Sequence, residues 1–184
     1  MPELAELRLT ADYINKSANG LSFVNIVKNP VHKGKDISVP YRKFYISAES
    51  RGKELMLTIR DKYSEDSVKL LMTMGMSGRF KLTNTADEPK HSHLMFHTDD
   101  GTTLSFVDVR RFGKWKFVTD WSSNRGPDPT REFNEFRRNI YDVGFCKPAF
   151  DQPIHLVLMN QQYFNGIGNY LRAEILYRAN VHPN

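Results

Sequence analysis

Leu158-Met159-Asn160-Gln161-Gln162-Tyr163-Phe164-Asn165-Gly166-Ile167-Gly168-Asn169-Tyr170-Leu171-Arg172-Ala173-Glu174-Ile175-Leu176-Tyr177-Arg178 contains two glycines within the five residues Asn165–Asn169, with helical spacing on either side. Glycine admits backbone angles and close approaches that a Cβ forbids. The segment therefore reads as a tight connection between two helices, shaped to let another backbone come near. Amides at the start of the following helix, with the side chain of Asn169, would form a cradle for a phosphate. A plain glycine-rich helix connection is the competing reading.

Helical spacing extends on both sides. Leu171, Ile175 and Ala179 mark one apolar face, Phe133, Phe136 and Ile140 another, and Asp151 with Pro153 signals a helix start before Ile154, Val157 and Leu158. Residues 132–184 are thus expected to be helical. Upstream, Ser122, Ser123, Asn124, Gly126, Pro127 and Pro129 give residues 122–131 the composition of a linker. Over residues 22–119 the period changes to two: Leu55, Leu57 and Ile59 alternate with Met56, Thr58 and Arg60, and Val68, Leu70, Met72 and Met74 alternate again. Asp100-Gly101 between two such runs predicts a hairpin. Leu7, Ala11, Ile14 and Ala18, followed by Gly20, predict an amphipathic helix over residues 4–19.

The expected fold class is therefore α+β and multidomain. An N-terminal helix plus an antiparallel β-sandwich occupies residues 1–121, and a helical domain occupies 132–184. The last helix has few partners for its apolar face, which leads to the expectation that this helical domain is incomplete and the chain a fragment.

Composition fits a soluble globular chain of 184 residues, 40% hydrophobic and 26% charged. No apolar run approaches the ~20 residues that a membrane helix needs. The single cysteine, Cys146, excludes an internal disulfide and a cysteine zinc site. A net charge of +5 favours a polyanionic partner. The basic residues group with glycine, histidine and aromatics at Arg51-Gly52-Lys53, Lys90-His91-Ser92-His93 and Arg110-Arg111-Phe112-Gly113-Lys114-Trp115, as a binding surface would.

The chain begins Met1-Pro2-Glu3-Leu4-Ala5-Glu6. Removal of Met1 would leave Pro2 as a secondary amine beside two carboxylates. An α-amino group titrates near roughly 8, so part of it is neutral at pH 7. Attack on an aldehyde-like carbon would give an iminium ion with no N–H to lose, which is covalent catalysis through a Schiff base. Glu3 and Glu6 are placed to move the protons.

The segment from Leu158 to Arg178 resembles the helix-two-turn-helix of the formamidopyrimidine-DNA glycosylase and endonuclease VIII family, and within it the animal endonuclease VIII-like 1 branch. Arg51-Gly52-Lys53, Gly75-Met76-Ser77-Gly78 and Asp108-Val109-Arg110-Arg111-Phe112-Gly113 follow that family's order, and Pro2 matches its start. The resemblance implies a bifunctional DNA glycosylase/AP lyase of base excision repair, with a non-catalytic damaged-DNA-binding paralogue or an inactive fragment as the alternative. Such an enzyme acts on damaged double-stranded DNA as a nuclear monomer, with no cofactor and no metal in the part covered here.

By the same resemblance Pro2 attacks C1′ of the damaged nucleotide and Glu3 serves as acid/base. Lys53 contacts the phosphate beside the lesion, and Glu6 is a supporting carboxylate unless it only faces the helix dipole. Glu174 belongs either to the catalytic network or to an i,i+4 pair with Arg178. Reaching C1′ requires extruding the nucleotide. Met76, Arg110 and Phe112 are the implied void-fillers, with Arg111 as the alternative arginine and ordinary core positions as the alternative for Met76 and Phe112. His91 and His93, sharing a strand face with His97, are implied to contact phosphate in preference to a metal, and Asn169 joins them. One departure stands out: Leu4 and Ala5 replace the family's Gly-Pro, so the presentation of the Pro2 amine is expected to differ.

Overall fold

The computed structural model describes residues 2–183. Its first element is helix α1 (Leu4–Ser17), which buries Leu7, Ala11 and Ile14 along one stripe as the sequence predicts. Eight strands follow: β1 (Phe23–Lys28), β2 (Phe44–Arg51), β3 (Glu54–Asp61), β4 (Ser67–Thr73), β5 (Arg79–Asn84), β6 (Ser92–Thr98), β7 (Thr102–Val107) and β8 (Lys114–Val118). Every pairing is antiparallel, in the order β5-β7-β6-β1-β2-β3-β4-β8. The Asp100-Gly101 turn joins β6 to β7, with Gly101 at φ +86°.

One sheet makes both layers. β1 and β2 pair only at Phe23 and Phe44, and this is where the sheet folds over. At the far end Phe106 of β7 meets the Trp115 ring of β8 at 6.1 Å, although six positions separate these strands in the sheet. Between the layers lie Phe23, Phe44, Phe96, Phe106, Leu57, Leu70 and Met72, with at most 1% of each exposed. The alternation over β3 and β4 holds, but Met56 and Leu71 on the opposite face are also buried and pair across the strands.

Because β2 leaves β1 so early, its backbone groups need other partners. Asn15 of α1 supplies them, accepting from the Ala48 amide at 2.7 Å and donating to its carbonyl at 2.9 Å. Tyr13 of the same helix accepts from the Leu82 amide of edge strand β5 at 2.9 Å. Thus α1 plugs the open side of the folded sheet and covers edges that would otherwise recruit a foreign strand.

The remainder is helical and lightly packed: α2 (Phe133–Arg138), α3 (Ile154–Val157) and α4 (Asn169–Arg178). The helical face expected after α2 loosens at Asn139–Gly144, where the Phe145 amide reaches back five residues to Ile140. Phe133 is exposed, whereas Phe136 and Ile140 turn inward. On α4 the expected face is rotated. Leu176 is buried with Leu158 and Ile167, Leu171 packs beside them, and Ile175 and Ala179 are exposed.

Residues 122–131 are polar because they are bonded. Ser122 donates through its amide and hydroxyl to the Glu54 carboxylate, and Arg125 pairs with Glu54 at 3.3 Å. Buried Asp128 accepts from the Gly52 amide at 2.8 Å. The segment fastens the β2–β3 turn to the helices.

Candidate active site and nucleic-acid interface

The turn at Arg51-Gly52-Lys53 and the loop Asn165–Gly168 meet backbone to backbone. Gly52 sits at φ +57°, and a Cβ there would lie 1.9 Å from Asn165 Oδ1. Gly166, at φ +100°, would carry its Cβ 2.9 Å from the Gly52 Cα. The two motifs therefore need glycine for a shared reason: each occupies the space where the other's side chain would be. Asn165, fully buried, donates to the Gly126 carbonyl at 2.8 Å and completes the junction.

Glu3 enters this junction from the first turn of α1. Its carboxylate is 1% exposed and accepts from the amides of Gly168 at 2.7 Å, Tyr170 at 3.1 Å and Leu171 at 3.2 Å. A carboxylate at a helix N-terminus satisfies orphan amides and meets the positive end of the dipole. This corrects the expected phosphate cradle, because its amides are already spent on Glu3. The side chain of Asn169 stays exposed to a phosphate.

Lys53 lies beside Glu3, its Nζ donating to the Ile167 carbonyl at 2.7 Å. A Cβ on Gly168 would touch both, at 2.2 Å from Glu3 Oε1 and 2.7 Å from Lys53 Nζ. Burial pushes the Lys53 ammonium below the usual lysine range; Glu3 opposes the shift and Arg125 adds to it. Burial also disfavours ionised Glu6, but hydrogen bonds from the Tyr170 hydroxyl and the Glu3 amide outweigh it and leave the carboxyl below its ordinary range.

Pro2 is half-buried and lines a cleft of about 320 Å³ with Glu6, Tyr13, Gly78 and Arg79. Leu4, the departure from the family pattern, opens α1 and donates its amide to the Gly166 carbonyl at 3.1 Å. The backbone next to Pro2 is thereby anchored without the family's Gly-Pro.

Asp108 organises a second group of residues. Fully buried, it accepts from the Gly113 amide at 2.8 Å, the Arg110 amide at 3.2 Å and the Ser77 hydroxyl. Gly75 packs its bare Cα against the Phe112–Gly113 backbone. Loops 75–78 and 108–113 are so held together, presenting Met76 (43% exposed) and Phe112 (52% exposed) to solvent. This answers the alternative in which both belong to the core. The Arg110 guanidinium lies over the Phe112 ring at 5.0 Å, whereas Arg111, at φ +57°, reaches the Val31 carbonyl at 3.4 Å.

The histidines separate. A bulge between Ser92 and Leu94 breaks the simple alternation, so His91, His93 and His97 do not share a face as expected. His91 is half-buried before β6, and His97 bonds Thr103 at 2.8 Å. His93 is 1% exposed, with its Nε2 on the Asp108 carbonyl at 2.9 Å. A phosphate contact through His93 is therefore not available. The ring instead supports the 108–113 loop from below, 5.1 Å from buried His32, which stacks on Trp115. Glu174 is exposed on α4, and no ion pair joins it to Arg178 among the described residues. Sequence reasoning missed Asp108, Asp128, Asn165 and Tyr170 as site-builders. Asp108 had a signal in its place at the head of a loop rich in arginine and glycine, and Asn165 and Tyr170 in lying within and beside the Asn165–Asn169 connection.

The chain has relatives among known proteins. A model described as the formamidopyrimidine-DNA glycosylase N-terminal domain matches residues 1–115. Endonuclease 8-like 1 of Homo sapiens is 39% identical over 191 residues, covering 100% of this chain and 49% of that protein. The chain thus spans about half the length of this relative. Two solved structures align over 99% of the chain: the MutM (Fpg) protein of Thermus thermophilus, with a TM-score of 0.76, 25% identity and 66% of its chain covered, and the Lactococcus lactis Fpg in complex with DNA containing an oxidized pyrimidine, with a TM-score of 0.77, 26% identity and 70% covered. No helix among the described residues is long and apolar enough to cross a membrane. With that family model matching well over half of its length, the Pro2-Glu3 start and the Asp108-centred loop included, the chain belongs to the formamidopyrimidine-DNA glycosylase family.

Proposed function

We propose that the protein is a bifunctional DNA glycosylase/AP lyase that removes oxidised bases from duplex DNA and cuts the strand at the resulting site, with the amine of Pro2 as nucleophile once Met1 is lost. The observation that carries this reading is the seating of the Glu3 carboxylate, one residue from Pro2, on the amides of Gly168 and of Tyr170 and Leu171 at the head of α4, beside Lys53 Nζ. That arrangement gives a rigid acid/base next to a chain-terminal amine, with a cation at hand for the flanking phosphate.

In this mechanism the Pro2 nitrogen bonds to C1′ as the bond from C1′ to the base breaks, and the base departs with that electron pair and takes up a proton. The nitrogen then gives up its own proton. Glu3 protonates the sugar ring oxygen, the C1′–O4′ bond opens, and the nitrogen lone pair forms the iminium. The iminium acidifies the C2′ proton. Its removal expels the 3′ phosphate, a second elimination expels the 5′ phosphate, and water hydrolyses the iminium to restore Pro2. Extrusion of the nucleotide leaves a gap that Met76, Phe112 and Arg110 would fill, the first two by stacking and the third by bonding the orphaned base. Their exposure on adjoining loops supports this. His91, Arg111 and Asn169 would contact the backbone, and Glu174 is left as a solvent-facing member of α4. On the same reading residues 1–121 form the catalytic domain and 132–184 part of the DNA-binding helical domain. The protein would work as a nuclear monomer.

The test is reductive trapping. Incubation with an abasic duplex and borohydride should weld protein to DNA, and Pro2→Gly or an N-terminal tag should reduce the covalent band strongly. Unimpaired DNA binding with no band would favour a non-catalytic damage-binding role.

A further inference from the structure

Tyr170 is 42% exposed at the head of α4, yet its polar atoms turn inward. Its hydroxyl donates to both Glu6 oxygens, at 2.6 and 2.8 Å. Its amide donates to Glu3 Oε1 at 3.1 Å. Glu6 Oε2 in turn accepts from the Glu3 amide at 2.9 Å, and that amide belongs to the peptide bond that follows Pro2. One residue of α4 thus holds both carboxylates of the α1 first turn and, through Glu6, the peptide attached to the nucleophile. Glu6 and Pro2 line the same cleft.

We propose that Tyr170 is a positioning residue for the Pro2 amine: a latch from α4 that fixes the first turn of α1 through Glu6 and so sets where the nucleophile points. The inference rests on the reading of Pro2 as the nucleophile. Leu4 and Ala5 stand where the family has Gly-Pro, so the stiffness that a proline would lend this turn must come from elsewhere, and the Tyr170–Glu6–Glu3 chain supplies it. The phenol is suited to the task. Burial and the facing Glu6 and Glu3 carboxylates push its ionisation above the usual tyrosine range, so it remains a donor. The ionisable groups around Glu6 are Tyr170 from α4, the chain-terminal amine, Glu3 at the cap of its own helix, Tyr13 further along that helix, and Arg79 of β5 across the cleft.

The experiment compares the unaltered protein, Tyr170→Phe, Glu6→Gln and the double variant. Tyr170→Phe keeps the ring and the amide and removes only the hydroxyl. Borohydride trapping on abasic duplex should slow roughly tenfold, as expected for one lost charge-assisted hydrogen bond, with DNA affinity unchanged and melting lowered no further than in Glu6→Gln. Losing that bond raises the Glu6 ionisation, so the acid limb of the trapping profile should move to higher pH. The Glu6 carboxyl carbon signal should titrate at higher pH as well. On the Glu6→Gln background, removing the hydroxyl should cost nothing further. If the unaltered protein traps and Tyr170→Phe traps equally fast with Glu6 unmoved, the latch is overturned and the nucleophile stands. Fully additive losses overturn it too. No covalent band from the unaltered protein overturns the nucleophile itself and the role of Tyr170 with it.

Discussion

The Glu3 carboxylate and the Gly168 amide are joined at 2.7 Å across a separation of 165 residues. This bond closes the chain on itself, so that the residue next to Pro2 is held at the start of α4. Any change there should alter chemistry and stability together.

Glu3→Gln leaves one amide-type oxygen to serve three donors and removes the proposed acid/base. Cleavage of abasic duplex should fall at least about a hundredfold. Unfolding free energy should drop by about 2 kcal/mol, the scale of a hydrogen bond to a charged group. Single-turnover cleavage and thermal melting of the same preparation check both.

Two glycines with positive φ should behave differently. Gly52→Ala combines left-handed backbone with a Cβ 1.9 Å from Asn165 Oδ1 and should cost about 3 kcal/mol. Gly101→Ala has φ +86° but open space around it, and should cost about 1 kcal/mol. Urea midpoints separate the two, and equal losses would contradict the interlocked loops.

His32 and His93 bear on stability against pH. Burial pushes both below the usual histidine range; for His32 the neighbouring His93 adds to this while Asp108 opposes it, and for His93 Asp108 opposes while Arg111 and His91 add to it. A histidine whose folded form resists protonation contributes fully above its unfolded ionisation near about 6.5, and the contribution is lost as pH falls below that. Urea midpoints should therefore decline from pH 7 towards pH 5, before the carboxylates titrate. His32→Phe, which keeps the stack on Trp115, should flatten that slope.

Because Met76 and Phe112 are exposed, alanine at either position should change stability by no more than about 0.5 kcal/mol. Base excision from a lesion duplex should nevertheless slow about tenfold, in line with the worth of one stacked side chain. Arg110→Ala should impair excision more than Arg111→Ala, since Arg110 shares the Phe112 surface and Arg111 is tied to Val31. Excision rates for the four variants, with melting curves as controls, test this.

Local periodicity and turn chemistry made most of the framework legible in the chain. The stripe Leu7, Ala11 and Ile14, the alternation in β3 and β4, the Asp100-Gly101 hairpin and the start of α4 after Gly168 all depend on neighbours a few residues away, which a sequence displays directly. Resemblance supplied the motifs. What neither could supply was the partner of each polar group: that Glu3 takes the amides thought free for phosphate, that a bulge sinks His93, that Asp128 is a bond and not a spacer, and that Tyr170 reaches Glu6. Each of these is a contact between residues remote in the chain, selected by how the folded sheet and the helices dock. The sequence by itself thus determined which elements form and which candidate residues they hold. Tertiary structure alone decided which of them face one another, because a hydrogen bond depends on position and direction in space, and these come only from packing.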